Sequence, residues 1–129
     1  MFVAPFVATP LPVVKQMLNL AQLKPGEIIY DLGCGDGRVV IMAAQEFGAR
    51  GVGVEMREDL VKQALGRVME LRLEGRVKIV HGDMFKLDLA QADVVTLYLT
   101  TSANDKVKPK LESELKAGAR VVSHDYEIL

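Results

Sequence analysis

The stretch Ile28-Ile29-Tyr30-Asp31-Leu32-Gly33-Cys34-Gly35-Asp36-Gly37-Arg38 decides the reading of this 129-residue chain. Its first five residues make a short apolar strand with an acid near the end, and glycine then takes every second position at 33, 35 and 37. The run Val39-Val40-Ile41-Met42-Ala43-Ala44 follows at once and predicts a helix to about Phe47. A strand-loop-helix junction of this kind lays backbone against a nucleotide-like ligand, because glycine permits both unusual φ angles and close approach.

The same alternation continues outward from the junction. Gly51-Val52-Gly53-Val54-Glu55 reads as a second strand ending in an acid, its glycines suited to close packing against a helix. Leu60, Val61, Ala64, Leu65, Val68 and Leu71 mark an amphipathic helix that Glu74-Gly75 stops. Val77 to Val80 is a third strand closing at His81-Gly82-Asp83, Val94 to Leu99 a fourth, and Arg120 to His124 a fifth. Upstream, Thr9-Pro10 places an N-cap residue before a proline at the first helical position. Val13, Val14, Met17, Leu18 and Ala21 then recur at helical spacing to about Leu23. Ser102 to Leu115 is helical by composition. A mid-helix proline costs about 3 kcal/mol, so a break is expected with Pro109 opening a second helical piece. Strands alternating with helices imply an α/β, doubly wound, mostly parallel sheet with helices on both faces. One domain spans 1–129, with 1–23 as an N-terminal helical segment beside the pocket.

Composition bounds the function. With 50% hydrophobic and 26% charged residues, the chain reads as one soluble globular domain needing no disulfide or metal staple. Its single cysteine, Cys34, excludes an intrachain disulfide and reads as a small loop residue rather than a nucleophile. The net charge of −1, without a long basic run, leaves no electrostatic footprint for nucleic acid. Two distant histidines, His81 and His124, make no metal-ligand spacing, and no metal is expected. The apolar start, Met1 to Val7, has no basic region and is too short for a signal peptide or membrane span, which makes the cytoplasm the expected location.

The acids around the loop discriminate between ligands. A dinucleotide site wants G-x-G-x-x-G, yet the third glycine would fall at position 38, which is arginine. The pattern is D-x-G-x-G-x-G, with Asp36 inside it. An aspartate about 4–6 Å from a pyrophosphate costs on the order of a few kcal/mol at intermediate dielectric. S-adenosylmethionine reverses that sign, since it carries a sulfonium and an α-ammonium and no phosphate. Asp31 suits the cationic end, and backbone N–H groups of the loop suit the methionine carboxylate. Glu55, 24 residues after Asp31, can accept from both ribose hydroxyls, as in the dinucleotide fold, so it does not separate the two ligands. Asp83 can accept from the adenine amino group, with turn capping as its other reading, and Met84 can pack on the ring.

These motifs resemble the class I S-adenosylmethionine-dependent methyltransferases. More narrowly, the chain resembles the small archaeal and mitochondrial seven-strand protein-lysine methyltransferases. The narrower resemblance rests on Pro5-Phe6-Val7-Ala8-Thr9-Pro10, the segments Tyr30 to Arg38 and Gly51 to Glu55, Asp93 to Leu99, Lys108 to Leu111, and Gly118 to Asp125. It implies donor contacts at Asp31, Gly33, Cys34, Gly35, Asp36, Glu55, Met56, Asp83, Met84 and Leu97. It implies catalytic positions at Tyr98 and Asn104, acceptor-side positions at Thr9, Leu99, Thr100 and Asp125, and S-adenosylhomocysteine as product. The acceptor implied is a protein lysine, attacking as the neutral amine, with Tyr98 orienting it and Asp125 assisting. Tyr98 also reads as a half-buried strand aromatic, and Lys106 to Lys116 as a solvated helix face. The family closes its sheet with an antiparallel strand pair after the Ser-His-Asp block, whereas this chain stops at Leu129. A truncated or natively short form is therefore expected, with an open sheet edge suited to a homodimer. Two alternatives stay open: a donor-binding but catalytically impaired fragment, and an NAD-dependent oxidoreductase, which Arg38 and Asp36 disfavour.

Overall fold

Strands β1 (Ile28–Leu32), β2 (Arg50–Glu55), β3 (Val77–His81), β4 (Val94–Leu97) and β5 (Arg120–Ser123) form one sheet in the order β3-β2-β1-β4-β5. Every neighbouring pair is parallel. The computed structural model describes residues 9–97 and 101–123, the side chains of 101–104 excepted. The strand order reverses between β1 and β4. All strands point the same way, so the carboxyl ends of β1, β2, β3 and β4 share one edge, where ligands of open α/β sheets bind.

The helices are α1 (Leu11–Leu20), α2 (Arg38–Phe47), α3 (Glu58–Glu70) and α4 (Thr101–Glu114). Side chains alternate across a strand, and the β1 sequence assigns its two faces accordingly. Ile29 packs with Val14 and Leu18 of α1, Val39, Met42 and Ala43 of α2, and Val94. Tyr30 and Leu32 join the opposite core, with Val54, Val95, Leu97 and Leu89, which Val107 and Leu111 of α4 cover. A third cluster seats Val68 of α3 against Val40, Ile41 and Ala44 of α2. The doubly wound, parallel expectation therefore holds, and α2 is the shared wall between α1 and α3.

Two local expectations do not hold. Thr9 does not cap α1: Pro10 is the N-cap residue, with φ −57° and ψ 143°, and the helix begins one residue later. No side chain caps that end, and the Thr9 carbonyl is engaged by Arg38 instead. Nor does Pro109 break the helix, since α4 runs continuously from Thr101 to Glu114 with Pro109 inside it. Pro109 and Asp105 are both exposed, so water can reach the carbonyl that loses its donor. Val107, 1% exposed, anchors the helix to the sheet. Lys110 Nζ meets Glu114 Oε2 at 2.6 Å one turn on, and Glu114 Oε1 accepts from the Leu89 N–H at 3.1 Å.

Candidate active site

The glycine loop leaves β1 at Leu32 and enters α2 at Arg38. Gly33, Gly35 and Gly37 have φ of +82°, +55° and +83°, the left-handed region that a side chain strains, which explains the every-second-residue spacing. The loop also needs space beneath it. A Cβ on Gly53 of β2 would lie 2.7 Å from Cys34 Sγ, and one on Gly51 would lie 2.7 Å from Val40 Cβ. Gly51 therefore admits helix α2 as expected, whereas Gly53 admits the loop. Cys34 is a buried filler here, and burial pushes its thiol pKa up, away from the thiolate form a nucleophile uses.

Four of the loop's backbone donors are engaged within the protein. Gly33 and Cys34 N–H both donate to Val54 O at 2.9 Å, Gly35 N–H donates to Glu55 Oε1 at 2.9 Å, and Gly37 N–H donates to Cys34 O at 2.9 Å. The expectation that these N–H groups meet a ligand carboxylate is thus corrected for those four. Their geometry serves the loop and Glu55 instead. Glu55, at the end of β2, receives a second backbone donor, Arg57 N–H on Oε2 at 3.0 Å. Each oxygen is fixed by one bond and retains a lone pair for a ligand hydroxyl.

Asp31 is 4% exposed, and Thr96 of β4, wholly buried beside it, donates Oγ1–H to Oδ1 at 2.8 Å. Burial pushes the Asp31 carboxyl up to about 7, against the Thr96 bond that lowers it and with the Glu55 and Asp36 charges raising it further. Among the described residues, no cation pairs with this acid. Asp36 is different. Arg38 Nε and Nη2 fork its carboxylate at 3.0 and 2.7 Å, and Arg67 Nη1 stands 3.9 Å away. Arg38 holds the Asp36 carboxyl below its usual range. The loop acid is therefore an ion-paired strut, and the charge argument against a pyrophosphate passes from Asp36 to Asp31 and Glu55.

The third acid lies at the end of β3. Asp83 Oδ1 accepts from Phe85 N–H at 2.9 Å and caps the 3-10 turn Met84–Lys86. The turn-capping reading is thus realised, and Oδ2 has no hydrogen-bond partner among the described residues. Met84 packs partly into the core under α4. Met56 is 67% exposed just beyond Glu55, its carbonyl 3.0 Å from His81 Nε2, which ties the ends of β2 and β3 together. The Leu97 side chain is buried in the core, so only its backbone remains for the site. Tyr98, Leu99, Thr100 and Asp125 lie outside the described residues, and Asn104 is placed on α4 without a described side chain. Sequence reasoning missed Thr96 and the role of Arg38. A hydroxyl inside the buried strand Val94-Val95-Thr96-Leu97 was the available signal for the first.

A parallel sheet in this order, a glycine loop after β1 and acids at successive strand ends define the fold of class I S-adenosylmethionine-dependent methyltransferases. The model of the ANTKMT methyltransferase domain matches residues 31–129. A protein-lysine N-methyltransferase of Saccharolobus islandicus (strain REY15A) is 47% identical over 125 residues, which are 96% of this chain and 78% of that protein. The chain therefore belongs to the ANTKMT methyltransferase-domain family. The adenine nucleotide translocase lysine N-methyltransferase of Mus musculus is 34% identical over 92% of this chain, and the chain spans about half of that protein's length, 52%. Among solved structures, an RNA methyltransferase from Salinibacter ruber in complex with S-adenosyl-L-homocysteine superposes with a TM-score of 0.90 at 49% identity. It matches 94% of this chain and 79% of its own.

Proposed function

We propose that this chain binds S-adenosylmethionine at the carboxyl edge of the sheet and promotes methyl transfer to the ε-amine of a protein lysine. The observation that carries the reading is the Asp31 carboxylate, buried, reluctant to ionise, and without a cation among the described residues. A ligand bringing an ammonium supplies that cation, whereas a pyrophosphate adds like charge to Asp31 and Glu55. Glu55, held on both oxygens by backbone N–H groups, is pre-set to accept ribose hydroxyls. Asp83 Oδ2 and Met84 suit the adenine.

When bound, S-adenosylmethionine supplies a methyl group that joins the acceptor's lone pair while sulfur keeps the electrons of the broken C–S bond. The protein's contribution to such a displacement is alignment and desolvation of the reacting pair. Thr9, Tyr98, Leu99, Thr100, Asn104 and Asp125 belong to the acceptor side in this reading, with Tyr98 orienting the amine and Asp125 taking part in removing its proton. The same reading puts the protein in the cytoplasm, with residues 1–129 in one domain and homodimers forming through an open edge of the sheet. No helix among the described residues is long and apolar enough to cross a membrane.

The names of the two relatives near 50% identity differ in acceptor, protein lysine for one and RNA for the other. A net charge of −1 supports the protein, because RNA binding draws on a basic surface. The deciding experiment supplies methyl-labelled S-adenosylmethionine with a protein extract and, in parallel, with total RNA, and maps the label by mass spectrometry. Label on Nε-methyllysine is expected. Label in RNA alone, or in neither, refutes the lysine reading.

A further inference from the structure

Arg38 joins two parts of the molecule that lie 29 residues apart. It is the first residue of α2, and its side chain is 23% exposed. While Nε and Nη2 fork Asp36 of the glycine loop, Nη1 donates to the Thr9 carbonyl at 2.9 Å. Thr9 is 7% exposed and directly precedes Pro10 and α1.

The two ends of this clamp depend on it unequally. The loop has its own supports in the bonds of Gly33 and Cys34 to Val54, of Gly35 to Glu55 and of Gly37 to Cys34. Asp36 also accepts from the Arg38 backbone N–H at 3.2 Å and has Arg67 at 3.9 Å. For the Thr9 carbonyl, the Arg38 guanidinium is the one donor among the described residues. Losing it leaves a covered carbonyl without a partner, a state that moves the chain until water or another donor is found.

We propose that Arg38 is a positioning residue: it holds the segment carrying Thr9 against the glycine loop, and so sets the acceptor-side wall relative to the donor. The inference rests on the proposed function in taking Thr9 as acceptor-side. Arginine suits the task because its planar fork grips a carboxylate with two donors while a third reaches another acceptor. A lysine ammonium matches the charge but not that geometry.

The test uses the full chain with Arg38→Gln and Arg38→Lys. Three quantities are read: S-adenosylhomocysteine affinity by calorimetry, kcat for labelled methyl transfer to poly-lysine, and amide hydrogen exchange at the start of α1. Arg38→Gln is expected to keep the dissociation constant within about threefold while kcat falls about tenfold to hundredfold. Arg38→Lys falls between it and the wild type. Exchange at Val13 and Val14 quickens in both. An unchanged kcat, unchanged exchange, or a loss of donor affinity as large as the loss of kcat overturns the proposal. If Arg38→Gln does not fold, Arg38→Lys carries the same comparison. A wild type that leaves poly-lysine unlabelled but labels protein extract moves the kcat comparison to the extract; one that labels neither fails the lysine reading instead, and exchange with donor affinity then decides the clamp alone.

Discussion

Replacing Asp31 by asparagine should stabilise the ligand-free protein while disabling it. Asp31 sits in the sheet with its carboxyl pushed up to about 7 from an ordinary 3.8, chiefly by burial. Holding a carboxyl that far from its ordinary value costs the charged form about 4 kcal/mol. The sign follows from linkage. The folded pKa exceeds the unfolded one, so this group's contribution is intact below about 3.8 and is lost as pH rises to about 7. The substituted amide keeps an oxygen for the Thr96 hydroxyl and carries no charge at any pH. Urea unfolding across pH 4 to 8.5 should therefore show Asp31→Asn level with the wild type at the acid end and more stable by a few kcal/mol, up to about 4, above pH 7. A ligand cation reverses the balance by favouring the carboxylate. Wild-type affinity for S-adenosylmethionine should rise about tenfold per pH unit below 7 and level off above it, with a proton released on binding. Asp31→Asn should lose that slope. Parallel stability curves for the two proteins, or a pH-independent wild-type affinity, would refute the reasoning.

Other expectations follow from the same contacts. Glu55→Gln sets an amide N–H₂ against the Gly35 or Arg57 N–H and weakens the ribose contacts, so calorimetry should show S-adenosylhomocysteine affinity reduced by about 1–3 kcal/mol. An unchanged affinity removes Glu55 from the ribose. Gly53→Ala drives a Cβ to 2.7 Å from Cys34 Sγ and should destabilise the fold by about 1–3 kcal/mol in urea, with the loop displaced. Gly66→Ala, inside α3 with nothing within 4 Å of the added Cβ, should instead raise the melting temperature through a gain of roughly 0.5–1 kcal/mol. Equal effects at Gly53 and Gly66 would mean that close approach does not set the glycine requirement of β2.

Much of this architecture is legible in the sequence because burial leaves a periodic trace. Ile28 to Leu32 is an almost uninterrupted apolar run between turn residues, and its observed bounds are those its composition suggests. Helix α3 likewise shows its buried face through Leu60, Val61, Ala64 and Val68. Helix α4 is harder to read because its buried stripe is narrow, resting on Val107 with Leu111 partly covered. A local proline penalty of about 3 kcal/mol argues for a break there, yet tertiary anchoring to the sheet outweighs it. The site shows the same division. Acids at strand ends are visible as spacing, so Asp31 and Glu55 stand out. What each acid touches is set by pairings that spacing does not reveal. Asp36 reads as a loop charge facing the ligand until Arg38 is seen to fork it, and Thr96 looks like an ordinary strand residue until register places it opposite Asp31.

Calorimetry at pH 7.5 with S-adenosylhomocysteine and, separately, NAD tests the central claim most directly, because the two share an adenosine and differ in the charge they bring to Asp31. Saturable binding of S-adenosylhomocysteine, weakened in Asp31→Asn, and no heat from NAD are expected. Tight NAD binding without a response to S-adenosylhomocysteine would contradict the assignment of this edge to a methyl donor.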